Sequence, residues 1–385
     1  MMKQEDETIK VAQIIGKWIG GGVESIVMNY YKNIDHNKIQ FDFFCDEDST
    51  DIPYKEIEQL GGKVILIPPY QKIFKYHKEL KKELIKGKYT IVHSHINTLS
   101  VFSLWAAKSA KVPVRIAHSH STTNPKEKKK NMLKQLLKLF SKVFATDYFC
   151  CSEPAGRWLF GNKEYDKGNV FILNNAIDLD KFKYDEDIRK KKRKELKINE
   201  DTLVIGNVGR FVKQKNHEFL IDIFNEIYKQ KKNSILLLVG QGKLQEKIKQ
   251  KVELLGLKDN VKFLGQRKDV NELYQTFDVF LFPTLYEGLG MVLIEAQTSG
   301  LYCICSTEVP IIAKVTENFK YISLNEEIST WASMVLENDN FKNRKSYKQQ
   351  IAKKGFDIRL EANKLVTKYE ELEKRIYKNN CNKKY

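Results

Sequence analysis

Short apolar runs recur along the chain, each closed by glycine, lysine, asparagine or serine and followed by a longer segment with apolar residues at helical spacing. In the first half they are Val11–Ile15, Phe41–Cys45, Val64–Ile67, Ile91–His95, Arg115–Ala117, Tyr148–Cys151 and Val170–Leu173. A charged stretch, Asp185 to Lys197, interrupts the pattern. It resumes at Leu203 and continues through Ile235–Val239, Val261–Leu264, Val279–Phe282 and Tyr302–Cys305. Strands alternating with helices predict the α/β class, with parallel sheets covered by helices. Two such series predict two domains, parted near Asp178 to Tyr184. The 385 residues, 42% of them hydrophobic, suffice for two cores. No internal repeat with matching residues is present.

The segment Phe282-Pro-Thr-Leu-Tyr-Glu287-Gly-Leu-Gly290-Met-Val-Leu-Ile-Glu295-Ala-Gln-Thr-Ser-Gly300 is the most informative. Gly288 and Gly290 allow a tight turn after a buried strand, and a helix is expected from Met291 with its first amides open to an anion. Glu287 stands at the turn. Glu295 lies five residues past Gly290, which at the helical rise puts its carboxylate roughly 7 to 8 Å from the helix mouth, about the distance of a ribose from a diphosphate. Glu295 also interrupts an apolar face, where a carboxylate requires a hydrogen-bonding partner. A second segment, Leu203 to His217, reads as a strand ending at Gly209, a basic loop carrying Arg210 and Lys215, and a helix. Strand ends bind ligands in α/β sheets, and the fork of Arg210 with the point charge of Lys215 suits one anion.

Gly209-Arg210 with Lys215, and Glu287 with seven residues before Glu295, resemble the retaining nucleotide-sugar glycosyltransferases of the GT-B fold, family four, along nearly the whole chain. That resemblance implies two Rossmann-like parallel-sheet domains facing an interdomain cleft: residues 1–180 for the acceptor, 181–359 for the donor, and a helical segment 360–385 crossing back to the first domain. It implies that Arg210 and Lys215 bind the donor diphosphate. Glu287, with the amides of Gly288, Leu289, Gly290 and Met291, would hold the transferred sugar, and Glu295 the ribose. Gly265 and Arg267, at the end of Val261–Arg267, correspond to the base-binding loop, and Leu238–Leu244 is also similar. The implied chemistry is front-face substitution with retention, without a covalent protein nucleophile. The co-substrate is a nucleotide-sugar, with UDP the family expectation, and no cofactor or metal is required. Leu301-Tyr302-Cys303 and Glu308-Val309-Pro310 depart from the family pattern in the manner of a branch similar to capsular and exopolysaccharide glycosyltransferases, which also carries a segment like Arg115 to His120. The acceptor implied is a glycan or lipid-linked glycan. Alternatives are a nucleotide-sugar epimerase on the same fold and an inactive protein with a retained nucleotide pocket.

Near the amino terminus, Gly20, Gly21 and Gly22 follow the first strand and precede a helix from about Val23. Ser25 stands where a dinucleotide fingerprint requires glycine, which disfavours an NAD enzyme. By resemblance these glycines face the cleft near the donor. Four of the seven histidines form two pairs, His93-Ser-His95 and His118-Ser-His120. Such pairs admit a metal reading, but carboxylate or thiolate partners are missing. The resemblance instead makes His118 the residue that faces the donor sugar, with His120 or His93 as substitutes.

The net charge of +17 raises binding to nucleic acid or to an anionic membrane. No nucleic-acid motif accompanies the charge. Lys126 to Lys142 interleaves lysines with an apolar stripe at helical spacing. The stripe either packs on the first sheet or lies on an anionic membrane surface beside a lipid-linked acceptor. The six cysteines make no disulfide framework: Cys150 and Cys151 are adjacent, and Cys303 and Cys305 share a strand. With neither a leader nor a run of about 20 apolar residues, the expected location is cytoplasmic, peripheral to the inner membrane face if the stripe binds lipid.

Overall fold

The computed structural model describes residues 8–121, 128–337 and 344–381. The chain forms two units, one of Met1–Ile177 with Asp357–Tyr385 and one of Asp178–Phe356.

The first unit is a seven-stranded parallel sheet in the order β3-β2-β1-β4-β5-β6-β7. Its strands are β1 Ile9–Gly16, β2 Ile39–Asp46, β3 Lys63–Ile67, β4 Ile91–Ser94, β5 Val114–Ser119, β6 Asp147–Cys150 and β7 Val170–Ile172. Side chains alternate between two buried faces, as parallel strands covered on both sides require. Val11 and Ile15 of β1 join one core with Phe41, Phe43 and Tyr369. Ala12 and Ile14 join the other with Phe44, Val92 and Leu104. The helix Ile358–Cys381 belongs to this unit, burying Ile358, Ala362, Leu365, Tyr369 and Leu372 in the first core. Its entry is fixed where Ile358 N donates to Ile177 O at 3.0 Å.

The second unit is a six-stranded parallel sheet in the order β10-β9-β8-β11-β12-β13. Its strands are β8 Leu203–Val208, β9 Ser234–Val239, β10 Val261–Gly265, β11 Val279–Phe282, β12 Tyr302–Ser306 and β13 Phe319–Ile322. The edge strand β13 is absent from the sequence reading: its four residues, Phe-Lys-Tyr-Ile, include an exposed lysine and carry too little apolar signal. The charged stretch is a helix, Glu186–Glu195, whose Arg189 and Arg193 both reach Asp278 before β11 at 2.5 and 3.0 Å. Asp278 also accepts from Val204 N at 2.8 Å. This buried cluster ties the start of the unit to the middle of its sheet.

The helix Lys128–Phe140 does not bury its apolar stripe: Met132 is 75% and Leu139 72% exposed, and Leu136, Phe140 and Val143 are also exposed. The reading in which that stripe packs on the first sheet is therefore corrected. Lys126 and the side chains of Lys128, Lys129 and Lys130 lie outside the described part.

Candidate active site

In the second unit the carboxyl ends of β8, β9 and β10 meet through glycines. Gly209 N donates to Val239 O at 2.9 Å and Gly240 N to Gly265 O at 2.8 Å. Gly240 has φ +130°, and a Cβ there would stand 2.2 Å from Gly209 O, so the close approach demands glycine. The chain then turns through Arg210 into the loop that carries Lys215. Asn216 holds a left-handed conformation, φ 54°, and its side chain donates to Pro283 O at 3.1 Å.

That loop is tied to the segment after β11 along its length. Leu285 N donates to Gln214 O at 2.8 Å, Gln214 Nε2 to Tyr286 O at 3.0 Å, and Thr284 Oγ1 to Gln214 O at 2.9 Å. These bonds bring together the two segments whose residues were expected to act as one. Lys215 Nζ forms an ion pair with Glu287 and lies 4.6 Å from the centre of the Phe282 ring. Both side chains of the pair are largely buried, at 15% and 12% exposure. The other Glu287 oxygen accepts from Gly288 N at 3.1 Å. Arg210 is exposed and has no side-chain partner among the described residues.

Gly290 takes φ +77° and caps the helix Met291–Thr298, whose first amides have no intrahelical acceptor. Leu289 and Met291 are partly accessible beside it. The arrangement is a guanidinium, an ammonium and a helix amino end around one turn, which suits a multiply charged anion. His217, stacked on Phe211 at 4.2 Å, is pushed down to about 4 by burial and then by the charge of Lys215, so it stays neutral.

The partner of Glu295 is a protein hydroxyl that the sequence reading missed. Tyr274 Oη donates to Glu295 Oε2 at 2.9 Å. Desolvation pushes the Glu295 carboxyl up to about 7, against that hydrogen bond and the charge of Lys181. Gly265 has φ +69° with open space where a Cβ would point. Arg267 is not a free side chain: it makes two bonds to Asp269, at 2.7 and 2.6 Å, and Asp269 also accepts from Lys192. These bonds hold the Asp269 carboxyl below its ordinary range.

In the first unit Gly20 has φ +69°, and the helix begins at Gly22, one residue before the expected Val23. Glu24 closes the turn, accepting from Gly21 N at 3.1 Å and Ile19 N at 3.2 Å. The Gly21 amide is thus occupied by a carboxylate, a feature the glycine count did not reveal. At Gly22 a Cβ would meet nothing within 4 Å. His118 is buried, and its Nδ1 lies 2.9 Å from His93 Nε2. His95 and His120 make a second contact at 2.9 Å. The described cysteines Cys45, Cys150, Cys151, Cys303 and Cys305 are free thiols, all buried.

Two parallel α/β units, one carrying an anion site at glycine-lined strand ends, define a two-domain nucleotide-dependent transferase fold. Residues 188–355 match the family described as Glycosyl transferases group 1, and residues 20–181 match Glycosyltransferase Family 4. The chain belongs to the group 1 glycosyltransferases and has the GT-B fold. It is 33% identical to a Bacillus subtilis protein named as glycosyltransferase EpsF, over 94% of this chain and 96% of that one. It is 26% identical to the Escherichia coli UDP-Gal:alpha-D-GlcNAc-diphosphoundecaprenol alpha-1,3-galactosyltransferase, over 79% and 81%. Among solved structures, Anabaena HepE in complex with UDP and glucose matches with a TM-score of 0.76 at 19% identity, covering 94% of this chain and all of that one.

Proposed function

We propose that this glycosyltransferase moves a sugar from a UDP-sugar, with retention at the anomeric carbon, to a hydroxyl of a glycan or lipid-linked glycan in capsule or exopolysaccharide synthesis. The observation that carries the reading is the joining of the Lys215 loop to the Glu287 turn, which sets Arg210, Lys215 and the amides before Met291 around one space. Those groups would stabilise the negative charge that grows on the leaving diphosphate, and a phosphate oxygen would take the acceptor's proton. Glu287, aligned by Lys215 and Gly288 N, would orient the sugar. Glu295, aligned by Tyr274, would accept from the ribose hydroxyls, and Gly265 with Arg267 would border the base. Two fixed cations and a helix amino end supply the positive charge that the diphosphate needs, so no metal or other cofactor enters this scheme. UDP as the nucleotide is supported by the names of the Escherichia coli relative and of HepE.

Peripheral membrane contact is the second part of the reading. It is supported by exposed Met132, Leu136, Leu139 and Phe140 on a helix interleaved with lysines. Among the described residues no helix is long and apolar enough to cross a membrane.

A calorimetric and thermal-shift series with UDP, GDP, ADP and their sugar conjugates tests the donor, followed by product analysis with donor alone and with acceptor. Selective UDP-sugar binding and transfer to an acceptor support the reading. Conversion of donor unaided would make the protein an epimerase, and binding without any conversion an inactive nucleotide binder.

A further inference from the structure

Gln13, His93, His95, His118, His120 and Tyr369 form one hydrogen-bonded chain inside the first unit. Its connectivity fixes where each proton sits. Gln13 Nε2 donates to Tyr369 Oη at 3.1 Å. Tyr369 has one proton, and His93 Nδ1 at 2.6 Å is its acceptor; otherwise that proton would be buried without a partner. His93 then carries its proton on Nε2 and donates to His118 Nδ1 at 2.9 Å. On the other side Gln13 Oε1 accepts from His95 Nε2 at 2.7 Å, so His95 Nδ1 accepts from His120 Nε2 at 2.9 Å.

Two ring atoms remain buried without a partner, His118 Nε2 as a donor and His120 Nδ1 as an acceptor. The two rings stack with centroids 4.0 Å apart. Turning the Gln13 amide over reverses every bond and exchanges the roles of the two ends. One end donates and the other accepts in both directions. His118, His120 and Asn175, whose Oδ1 is also unpartnered, line a cavity of about 10 Å³, room for one water-sized group.

We propose that Gln13 is a positioning residue that locks the four buried histidines into a single tautomer, so that His118 Nε2 and His120 Nδ1 present one donor and one acceptor to a hydroxyl group. A water or a sugar hydroxyl has the matching pair of roles. Naming the sugar rests on the function proposed above; the tautomer lock does not. Burial holds His93, His95 and His118 well below the ordinary imidazole range and His120 at about 3, so all four are neutral near pH 7. His93, His95 and His118 are also close enough together to suggest a transition metal. The chain leaves only one open lone pair in either direction, which opposes that alternative.

The test is nitrogen NMR of the full chain labelled at histidine, with the signals of His36, His77 and His217 identified by substitution. All four cluster histidines should share one tautomer, protonated either all on Nε2 or all on Nδ1. In Gln13→Met the coupling between the two arms is lost, and His95 and His120 should exchange between tautomers while the melting transition remains cooperative. Mixed tautomers in the wild type, a lock unchanged in Gln13→Met, or zinc ions that shift the cluster signals would each overturn the proposal. With the lock present, a shift of the His118 and His120 signals on adding UDP-glucose identifies a sugar hydroxyl as the occupant. Unchanged signals identify water.

Discussion

Glu295→Gln separates two roles of one carboxyl group by pH. In the folded chain burial raises this group from 4.5 to about 7. The unfolded chain therefore releases a proton between those values that the folded chain keeps. Stability falls as the pH rises from 4.5 through about 7, and the loss is complete above it. The span corresponds to about 3 kcal/mol at most, lowered by the partial solvent access of the residue. Glutamine does not titrate and can still accept from Tyr274, so the variant should lack this term while keeping the packing. For a unit of this size about 1 kcal/mol is worth roughly 2–4 °C in melting temperature. Between pH 5 and pH 8 the variant should gain roughly 4–10 °C relative to the wild type. UDP binding should show the opposite trend, since ribose hydroxyls require the carboxylate as acceptor. The wild type should bind UDP more tightly as the pH rises through about 7, and the variant weakly at every pH. Parallel melting curves for the two proteins across this range, or a nucleotide affinity with the same pH dependence in both, would refute the argument.

Glu287→Gln should lower turnover much more than UDP affinity, because it leaves Lys215 free for the diphosphate but removes the group that orients the sugar; equal turnover in steady-state assays would reject that role. Gly240→Ala should destabilise the second unit by at least about 2 kcal/mol, as its methyl would collide with Gly209 O; an unchanged urea midpoint would contradict the geometry. Asp278→Asn leaves two buried guanidinium groups without a carboxylate and should cost about 3 kcal/mol in a denaturant titration. Met132, Leu136 and Leu139→Ser together should weaken sedimentation with anionic vesicles while leaving nucleotide affinity unchanged; full retention on vesicles would remove the membrane contact.

How much of this was legible in sequence depended on whether a local signal stood in for a distant partner. The strands β1 to β12 were legible because fully buried parallel strands carry unbroken apolar runs, and β13 was not, because an edge strand with an exposed lysine does not. Gly290, Lys215 and Glu287 were legible because the turn that needs glycine, the anion that needs cations and the helix that offers amides each leave a mark within a few residues. Tyr274, by contrast, lies 21 residues from the carboxylate it serves, on a helix whose pattern marks it only as core. Arg267 was read as reaching a ligand, yet Asp269, two residues on, holds it in a fork that spacing alone would have disclosed.

The histidines are the sharper case. Period-two alternation puts Gln13, His93, His95 and His118 on one face, and the pairing of Gln13 with His93 sets the register. Tyr369, 276 residues beyond His93, completes the chain through a helix that returns to the first unit. In a local reading each imidazole is a separate candidate for a ligand. Once Gln13 and Tyr369 are present, no ring can choose its proton independently, so the function of the four must be read as that of one group with two ends.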